Sequence, residues 1–371
     1  MRDLINLSFG VFAVMALSNA IVPVLPGYAS GTALQGEIYS AYFLGAFVLT
    51  LPSGILADRW GSKLLSDAGL FLTCIAGIML ISSSMFTVVL SARLIEGIGA
   101  GMFVAAALTY VNRQPGHQKM SGWFLASMNI GLIAGLVLSG WLASLSGYKS
   151  AGLLLFSAMA LVSLVISIAV QPLREIPNEN VRTWGSYIGS LPGIVRNYFW
   201  LWFSSVALIG ITGAVTAIYP QFSGATPEVV GLEIAAMSGA TAVAVIAVAK
   251  TSFSPVPVLR LAAVLSAGAV IACYFTPWAF LVLGALAGVV MIAQLTYLAS
   301  AGRDQGTYMG LFDASSYLGM TILPFIAGVV AQVMGFFMAF LVTAAFALVV
   351  ALTIGFCRSC PDTTGDKPGS S

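Results

Sequence analysis

The charged residues inside apolar stretches are the ones that could do chemistry in this chain of 371 residues. Arg93 and Glu96 are three positions apart, a spacing that places both side chains on one face of a helix. They could neutralise each other so that the helix enters a membrane, or form a binding or proton-coupling pair. Asp313 and Glu233 also lie in apolar stretches, and either could carry a proton because burial favours the neutral carboxyl group. Glu233 could instead reach the outer interface.

Uncharged polar residues in the same stretches could complete a binding cavity. The candidates are Asn19, Tyr42, Asn129, Gln294 and Tyr297. Each could equally form a hydrogen bond between packed helices, a frequent role of such groups in membranes. Glu37 and Glu228 fall near helix ends, where a solvated or capping role is expected.

Motifs for catalysis and for cofactor binding are missing from the sequence. The chain has no G-x-x-x-x-G-K-[ST] phosphate loop, and its one histidine, His117, has no metal-binding residues beside it. Cys357 and Cys360 form a lone C-x-x-C pair, whereas a structural zinc site needs two further ligands. We therefore expect no metal, no cofactor and no enzymatic activity.

The composition identifies the surroundings in which these residues work. Hydrophobic residues make up 59% of the chain, charged residues make up 8%, and the mean hydropathy is +0.99. Soluble domains contain about 25% charged residues, so this chain lacks the polar surface that water requires. We expect a lipid bilayer around it. A formal net charge of +2 is too small to indicate nucleic-acid binding.

Twelve apolar stretches are long enough to cross a bilayer as helices, which takes about 20 residues each. Runs such as 262–273 and 336–356 do not alternate as the strands of a membrane β-barrel would. The sequence therefore predicts an all-α integral membrane protein. The predicted spans are 4–27, 36–56, 64–83, 85–112, 121–146, 149–171, 198–221, 228–249, 255–275, 277–301, 306–333 and 335–357.

The basic residues predict the orientation in the cell membrane. With both termini in the cytoplasm, only Lys149 of the 15 Lys and Arg residues lies outside, and Arg93 and Arg260 lie within spans. Such a bias in short loops determines orientation. The first apolar stretch is longer than the core of a signal peptide, so we expect it to be retained. The basic residues assigned to the cytoplasmic side are Arg2, Arg59, Lys63, Arg113, Lys119, Arg174, Arg182, Arg196, Lys250, Arg303, Arg358 and Lys367.

The longest polar stretch divides the spans into two sets of six. Trp184, Tyr187 and Ile188 could make part of this stretch an interfacial helix, and a plain linker is the alternative. The expected division is an N-terminal bundle over 1–171, a cytoplasmic linker over 172–197, a C-terminal bundle over 198–357 and a cytoplasmic tail over 358–371.

A repeat relates the two predicted bundles. Several small residues of the fifth span recur 188 positions later in the eleventh, and residues 106–110 (AALTY) match residues 293–297 (AQLTY) at an offset of 187. Parallel repeats of six helices are typical of transporters whose halves rock about a central site. The glycine pairs of the repeat are Gly122 with Gly310, Gly131 with Gly319 and Gly140 with Gly328.

The loop after the second span carries the most specific motif. It reads G-I-L-A-D-R-W-G-S-K over 54–63 and resembles the loop signature G-x-L-A-D-R-x-G-R-K of the major facilitator superfamily, with Ser62 where arginine is usual. The resemblance implies a cytoplasmic gate in which Asp58 braces the N-terminal half against the N-terminus of the eleventh span, where the helix dipole stabilises a carboxylate. A charge cluster that only sets topology is the alternative. The gate residues are Gly54, Asp58, Arg59, Gly61 and Lys63.

Two further motifs extend the resemblance to residue 140. Residues 93–99 resemble R-x-x-Q-G-x-G, with Glu96 in place of glutamine, and the fifth span resembles the glycine motif of antiporters. Leu136 and Ser139 replace a proline and a glycine of that motif, which weakens the case for antiport. Helix packing alone could account for the retained glycines, which are Gly122, Gly131, Gly135 and Gly140.

The resemblance implies two pseudo-symmetric bundles of six helices that transport by alternating access. The chain is most similar to the twelve-helix drug:proton antiporters, so we expect proton-coupled efflux of a small molecule, drug-like or a metabolite. We also expect a monomer with protons as the coupling ion. In that family the first, fourth, seventh and tenth helices line the cavity, which favours a functional role for Arg93 and Glu96. A proton-coupled importer of a sugar, metabolite or organic anion is an alternative, and a non-transporting sensor or scaffold is another.

Overall fold

A computed structural model describes residues 2–114, 117–169, 184–251, 253–299 and 305–356. These residues form thirteen α-helices and two short 3-10 helices. The helices are α1 (Arg2–Ala20), α2 (Thr32–Trp60), α3 (Ser62–Ser82), α4 (Phe86–Asn112), α5 (His117–Ser146), α6 (Ala151–Ala169), α7 (Trp184–Asn197), α8 (Phe199–Ser223), α9 (Pro227–Val248), α10 (Pro255–Phe275), α11 (Ala279–Ala299), α12 (Gln305–Met334) and α13 (Phe336–Thr353).

Each of the twelve predicted spans overlaps one of these helices, and the prediction of an all-α membrane protein is confirmed. The first six spans are α1 to α6, and the last six are α8 to α13. Within the described ranges, ten helices are long and apolar enough to cross a membrane by length and composition, and Leu4–Ala20 is a shorter apolar helix. The short α7 occupies the described part of the predicted linker.

The first span differs from the prediction in its last turns. The α-helix ends at Ala20, and a 3-10 helix continues over Val22–Gly27. Pro23 and Pro26 lie in this segment, and proline has no backbone N–H to donate to the preceding turn of an α-helix. The local chemistry therefore ends α1 before the predicted boundary.

The helices pack into two sets, and two extensive contacts between long helices join the sets. In the first set α1 packs on α5 and α6, and α4 packs on α2 and α3; in the second α8 packs on α12, and α11 packs on α9 and α10. The extensive contacts between sets are α2 with α12 and α5 with α9. We call these the α2–α12 seam and the α5–α9 seam.

Glycines bring the helices of both seams into backbone contact. Carbonyl oxygens approach from the facing helix so closely that an added Cβ would collide with them. Small residues at such crossings are what membrane helices use to pack tightly. The four glycine and carbonyl pairs are Gly36 with Pro324 and Gly328 with Thr32 in one seam, and Gly231 with Leu136 and Gly140 with Pro227 in the other.

One end of the molecule is closed by hydrogen bonds between the two sets. Four bonds between described residues lie at the end that carries the start of α2 and of α9. We call it the outer end, after the predicted orientation, and the opposite end the inner end. The bonds run from Thr32 Oγ1 to the Gly328 carbonyl (2.9 Å), from the Ala33 amide to Gln332 Oε1 (3.0 Å), from Gln35 Nε2 to Gln221 Oε1 (2.5 Å) and from the Glu228 amide to Ser144 Oγ (3.3 Å).

Candidate functional site

A buried ion pair on α4 forms the core of the candidate site. Arg93 Nη1 donates to Glu96 Oε2 at 2.6 Å, and the two side chains are 1% and 0% exposed. The spacing of three residues places both groups on one helical face, as predicted from the sequence. Gly97, one position further, has the Tyr42 carbonyl of α2 against its backbone. The close α2–α4 crossing therefore shields the pair from solvent.

The Arg93–Glu96 pair lies against the ring of Tyr42. The guanidinium carbon of Arg93 is 4.6 Å from the ring centroid, a distance at which the ring face stabilises the cation. Arg93 Nε and Glu96 Oε1 have no hydrogen-bond partner among the described residues. Leaving a buried polar atom unpaired costs about 1–3 kcal/mol. The pair thus keeps one donor and one acceptor that a substrate or a proton could satisfy.

Tyr317 extends this cluster to the second set of helices. The residue lies on α12, four positions after Asp313 and therefore on the same helical face. Its ring centroid is 6.2 Å from that of Phe43, which in turn is 5.0 Å from that of Tyr42. The positions from Arg93 through the two tyrosines to Asp313 therefore form one connected group. We call it the polar centre, and its members are Tyr42, Arg93, Glu96, Asp313 and Tyr317.

Asp313 occupies a different environment from Glu96. Its side chain is exposed, whereas that of Glu96 is buried. It lies eight residues after the first residue of α12, which corresponds to about 12 Å along the helix. In this outer-closed conformation Asp313 is therefore the accessible carboxylate of the polar centre, and Glu96 is the enclosed one.

Glu233 lies away from the polar centre. Its Oε2 accepts a hydrogen bond from the Tyr219 hydroxyl at 2.8 Å. Both residues line a cavity of about 280 Å³ at the outer end of α8, α9 and α10, together with Phe222 and Tyr274. The sequence grouped Glu233 with the other intramembrane charges, but the fold places it in a separate aromatic site.

Three of the uncharged candidates form contacts between or within helices. Asn19 Nδ2 donates to the Leu132 carbonyl at 3.2 Å and joins α1 to α5, while Gln294 Nε2 donates to Ser204 Oγ at 3.0 Å and joins α11 to α8. The exposed Asn129 donates to the carbonyl one turn back in its own helix, at 2.8 Å. Tyr297 is buried, with its ring centroid 6.3 Å from that of Tyr198. Of the five candidates, Tyr42 alone joins the polar centre.

The loop motif forms a tight turn and an ion pair. Gly61 has a φ of +93°, a conformation that suits glycine, and it separates α2 from α3. Lys63 Nζ donates to Asp67 Oδ2 at 3.1 Å and to the Ser167 carbonyl at 2.5 Å, which ties α3 to α6. Asp67 was not singled out from the sequence, although its spacing of four from Lys63 is a signal for such a pair.

The side chain of Asp58 and the first residues of α12 lie outside the side chains that the structure describes. The proposed brace between Asp58 and α12 therefore stays a prediction. Arg59 is exposed, and Gly54 has open space on the side where a Cβ would stand.

Comparison with known proteins identifies the family. Residues 7–301 match the sequence profile of the Major Facilitator Superfamily. The chain belongs to the Major Facilitator Superfamily. This superfamily assignment agrees with the resemblance that the loop motif at 54–63 indicated.

Two resistance proteins are among the similar sequences. The quinolone resistance protein NorA of Staphylococcus aureus is 29% identical over 152 residues, which are 39% of this chain and 39% of NorA. The methylenomycin A resistance protein of Bacillus subtilis is 28% identical over 211 residues, which are 51% of this chain and 44% of that protein. The chain therefore spans less than half the length of each of these relatives.

Solved structures of other transporters share the fold. The nucleoside transporter NupG has a TM-score of 0.73 at 15% identity, with 96% of this chain and 99% of that chain covered. A bacterial homologue of the human lysosomal transporter Spinster, in an inward-facing and unoccupied conformation, has a TM-score of 0.76 at 13% identity, with 96% of both chains covered. At these identities the similarity shows the fold alone.

Three of the four antiporter-like glycines of this superfamily member are packing residues in the structure. Gly131 and Gly135 lie against the carbonyl oxygens of Phe12 and Ala16 on α1. Gly140 takes part in the α5–α9 seam, and Gly122 has open space beside it. Three of the four motif glycines therefore hold α5 to its neighbours.

Proposed function

We propose that the chain is a secondary active transporter that exports a small molecule in exchange for protons by alternating access. The observation that supports this most directly is the polar centre, which joins α2 and α4 of one helix set to α12 of the other. Any motion that opens the α2–α12 seam changes the distance between Tyr42 and Tyr317. The charges of the centre are therefore coupled to the conformation of the halves.

The two carboxylates of the polar centre have different roles in this proposal. Asp313 is exposed in the outer-closed conformation and exchanges its proton there. Glu96 is held by Arg93 while the seam is closed, because a buried charge is costly to leave unpaired. It becomes available for a proton when the seam opens. An intramembrane charge costs about 2.5–3.5 kcal/mol on insertion scales, so a function is the expected reason for its presence.

Export of a drug-like molecule is the direction favoured by the relatives. Both matched sequences are named as resistance proteins, against quinolones in one case and methylenomycin A in the other. A resistance function of this kind is served by movement out of the cell. One charge moving across a potential of 100 mV supplies about 2.3 kcal/mol, which corresponds to roughly fifty-fold accumulation.

The placement in the membrane completes the proposal. We assign the protein to the cell membrane, with both termini in the cytoplasm. The two bundles are its halves, α7 is an interfacial helix between them, and the working unit is a monomer. The basic residues of the loops support the orientation. Apolar side chains exposed on the outside of the bundle, among them Ile78, Trp123 and Leu161, support the contact with lipid.

Transport in proteoliposomes tests the proposal. With an imposed proton gradient, wild-type protein should move a quinolone against its concentration gradient, and release of the substrate should move protons in the opposite direction. Asp313→Asn and Glu96→Gln should each abolish the proton movement, whereas Glu228→Gln, at the start of α9, should leave it unchanged. Proton-coupled transport that survives both variants would remove these carboxylates from the mechanism, and co-directional movement of substrate and proton would favour an importer.

A further inference from the structure

A membrane-facing groove at the α2–α12 seam lies outside the polar centre. It has a volume of about 420 Å³ and is walled by α2, α4 and α12. Its walls are mainly apolar, and several of the side chains are exposed on the outside of the bundle, including Leu44 (42% exposed), Ile322 (38%) and Phe325 (44%). The groove therefore opens toward lipid.

Two polar groups of α2 line this apolar groove. Glu37 has no ion-pair partner among the described residues, where the ion pairs are Lys63–Asp67 and Arg93–Glu96. Ser40 is 6% exposed, and its hydroxyl has no hydrogen-bond partner among the described residues. An unpaired carboxylate and an unsatisfied buried hydroxyl are both costly beside apolar surface. A ligand with a cationic hydrogen-bond donor would relieve both costs.

The order of the lining residues along α2 defines the shape of this ligand. Glu37 lies five residues after Thr32, the first residue of the helix, and is followed along the groove by Ser40, Ala41 and Leu44. The seven helical steps from Glu37 to Leu44 span about 10 Å. The carboxylate is thus near the outer end and the apolar wall extends toward the middle of the bilayer. A molecule with an ammonium head and an alkyl tail matches this arrangement.

We propose that this groove binds amphiphilic alkylammonium compounds from the outer leaflet and that their binding holds the outer end closed. Glu37 pairs with the ammonium group, and the alkyl chain lies along Leu44, Leu94 and Phe325. Two walls come from α2 and α4, and the third comes from Thr321, Ile322 and Phe325 on α12. Because the walls belong to both helix sets, the groove is complete only while the α2–α12 seam is closed. The binding step stands apart from the proposed transport function, whereas the effect on cycling rests on alternating access.

Binding is tested on the purified full-length protein with three ligands of equal chain length, namely decylammonium, decanol and decanoate. A photoreactive decylammonium should label peptides of α2, α4 and α12. Glu37→Gln should weaken decylammonium binding about tenfold, the loss of one charge pair at an apolar boundary. Glu228→Gln is the matched control, because that carboxylate lies at the outer end but does not line the groove. Ser91→Phe, at an exposed position of α4 on the groove, should block binding while Glu37 is retained.

The conformational effect is tested by spin labels at Ser84→Cys and Thr276→Cys, in the outer turns of the two helix sets, after replacement of the native cysteines. Decylammonium should shift the distance distribution toward its shorter, outer-closed component, and decanoate should not. Three results would overturn the site. Decylammonium could bind equally to wild type and Glu37→Gln, decanol could bind as tightly as decylammonium, or the photoreactive ligand could label α4 and α11 without α12. Binding at the groove without a change in distance would overturn the stabilisation of the closed conformation. Failure of proton-coupled transport in proteoliposomes would leave the binding results unaffected, so the two proposals can fail separately.

Discussion

The α2–α4 crossing and the α9–α11 crossing share a backbone arrangement and differ in chemistry. Gly97 and Gly101 of α4 lie against the carbonyl oxygens of Tyr42 and Ala46, and Gly284 and Gly288 of α11 lie against those of Met237 and Thr241. The two α4 glycines are related to the two α11 glycines by an offset of 187 positions. The residues whose carbonyls they contact are related by an offset of 195. The repeat is therefore present in the packing of the helices as well as in the sequence.

The two crossings diverge at the positions that carry the ion pair. The residues that match Arg93 and Glu96 at the offset of 187 are Phe280 and Leu283, and the residue that matches Tyr42 is Met237. All three are apolar, so the second crossing has no counterpart of the ion pair. The glycine contacts therefore serve the fold of both halves, whereas only the first crossing carries an ion pair.

The largest expected effect comes from breaking the ion pair that only the first crossing has. Glu96→Ala leaves Arg93 buried without its partner and should lower the free energy of unfolding by about 3–5 kcal/mol. The double variant Arg93→Phe with Glu96→Leu, which installs the residues of the second crossing, should recover most of that loss and still fail to transport. Thermal unfolding in detergent and transport in proteoliposomes measure the two effects. A Glu96→Ala protein with the same free energy of unfolding as wild type would show that solvent reaches the ion pair in the detergent-solubilised protein.

The next effect tests whether the two crossings are equivalent in packing. Gly97→Ala and Gly284→Ala each place a Cβ against a carbonyl oxygen and should each lower the free energy of unfolding by about 1–3 kcal/mol. Gly239→Ala is the control, because nothing lies within 4 Å of the added atom and alanine favours the helix by about 1 kcal/mol. A neutral Gly284→Ala would mean that only the first crossing depends on backbone contact.

A smaller effect distinguishes the two seams. Thr32→Val removes the 2.9 Å hydrogen bond to the Gly328 carbonyl, a loss of about 1 kcal/mol that reduces the ratio of outer-closed to open protein about fivefold. Ser144→Ala removes only the 3.3 Å contact with the Glu228 amide at an exposed position, so we expect less than half that effect. Distances between labels at Ser84 and Thr276 report the ratio. Equal shifts would show that the seams contribute alike.

The smallest expected effect concerns the ion pair at the inner end of α3. Lys63 and Asp67 are partly exposed, with side chains 20% and 22% accessible, and pairs of this kind contribute about 0–1 kcal/mol. Asp67→Asn should therefore lower the free energy of unfolding by less than about 1 kcal/mol, and less still at high salt because exposed charges are screened. A larger loss that is insensitive to salt would contradict this prediction, because it would show that the pair is shielded from solvent.

Sequence-based prediction succeeded where the information is local. The apolar length of a stretch determines whether it can cross a bilayer, so the positions of the twelve helices followed from hydropathy. The spacing of Arg93 and Glu96 predicted their common face because helical geometry repeats every 3.6 residues. Prediction was less accurate at the end of α1, where two prolines replace the last α-helical turns with a 3-10 helix.

The sequence alone determined that the protein lies in a bilayer, which stretches form the spans and which charged residues lie inside them. Hydropathy and spacing act within one helix, so they can be read without the tertiary structure. Only the tertiary structure separated Glu233 from Asp313, placed Tyr317 near Tyr42 and put the unpaired Glu37 on a lipid-facing groove. These outcomes depend on which helices cross and at what depth. Such crossings are decided by glycine contacts between segments far apart in the chain, and no local pattern encodes the distance between their side chains.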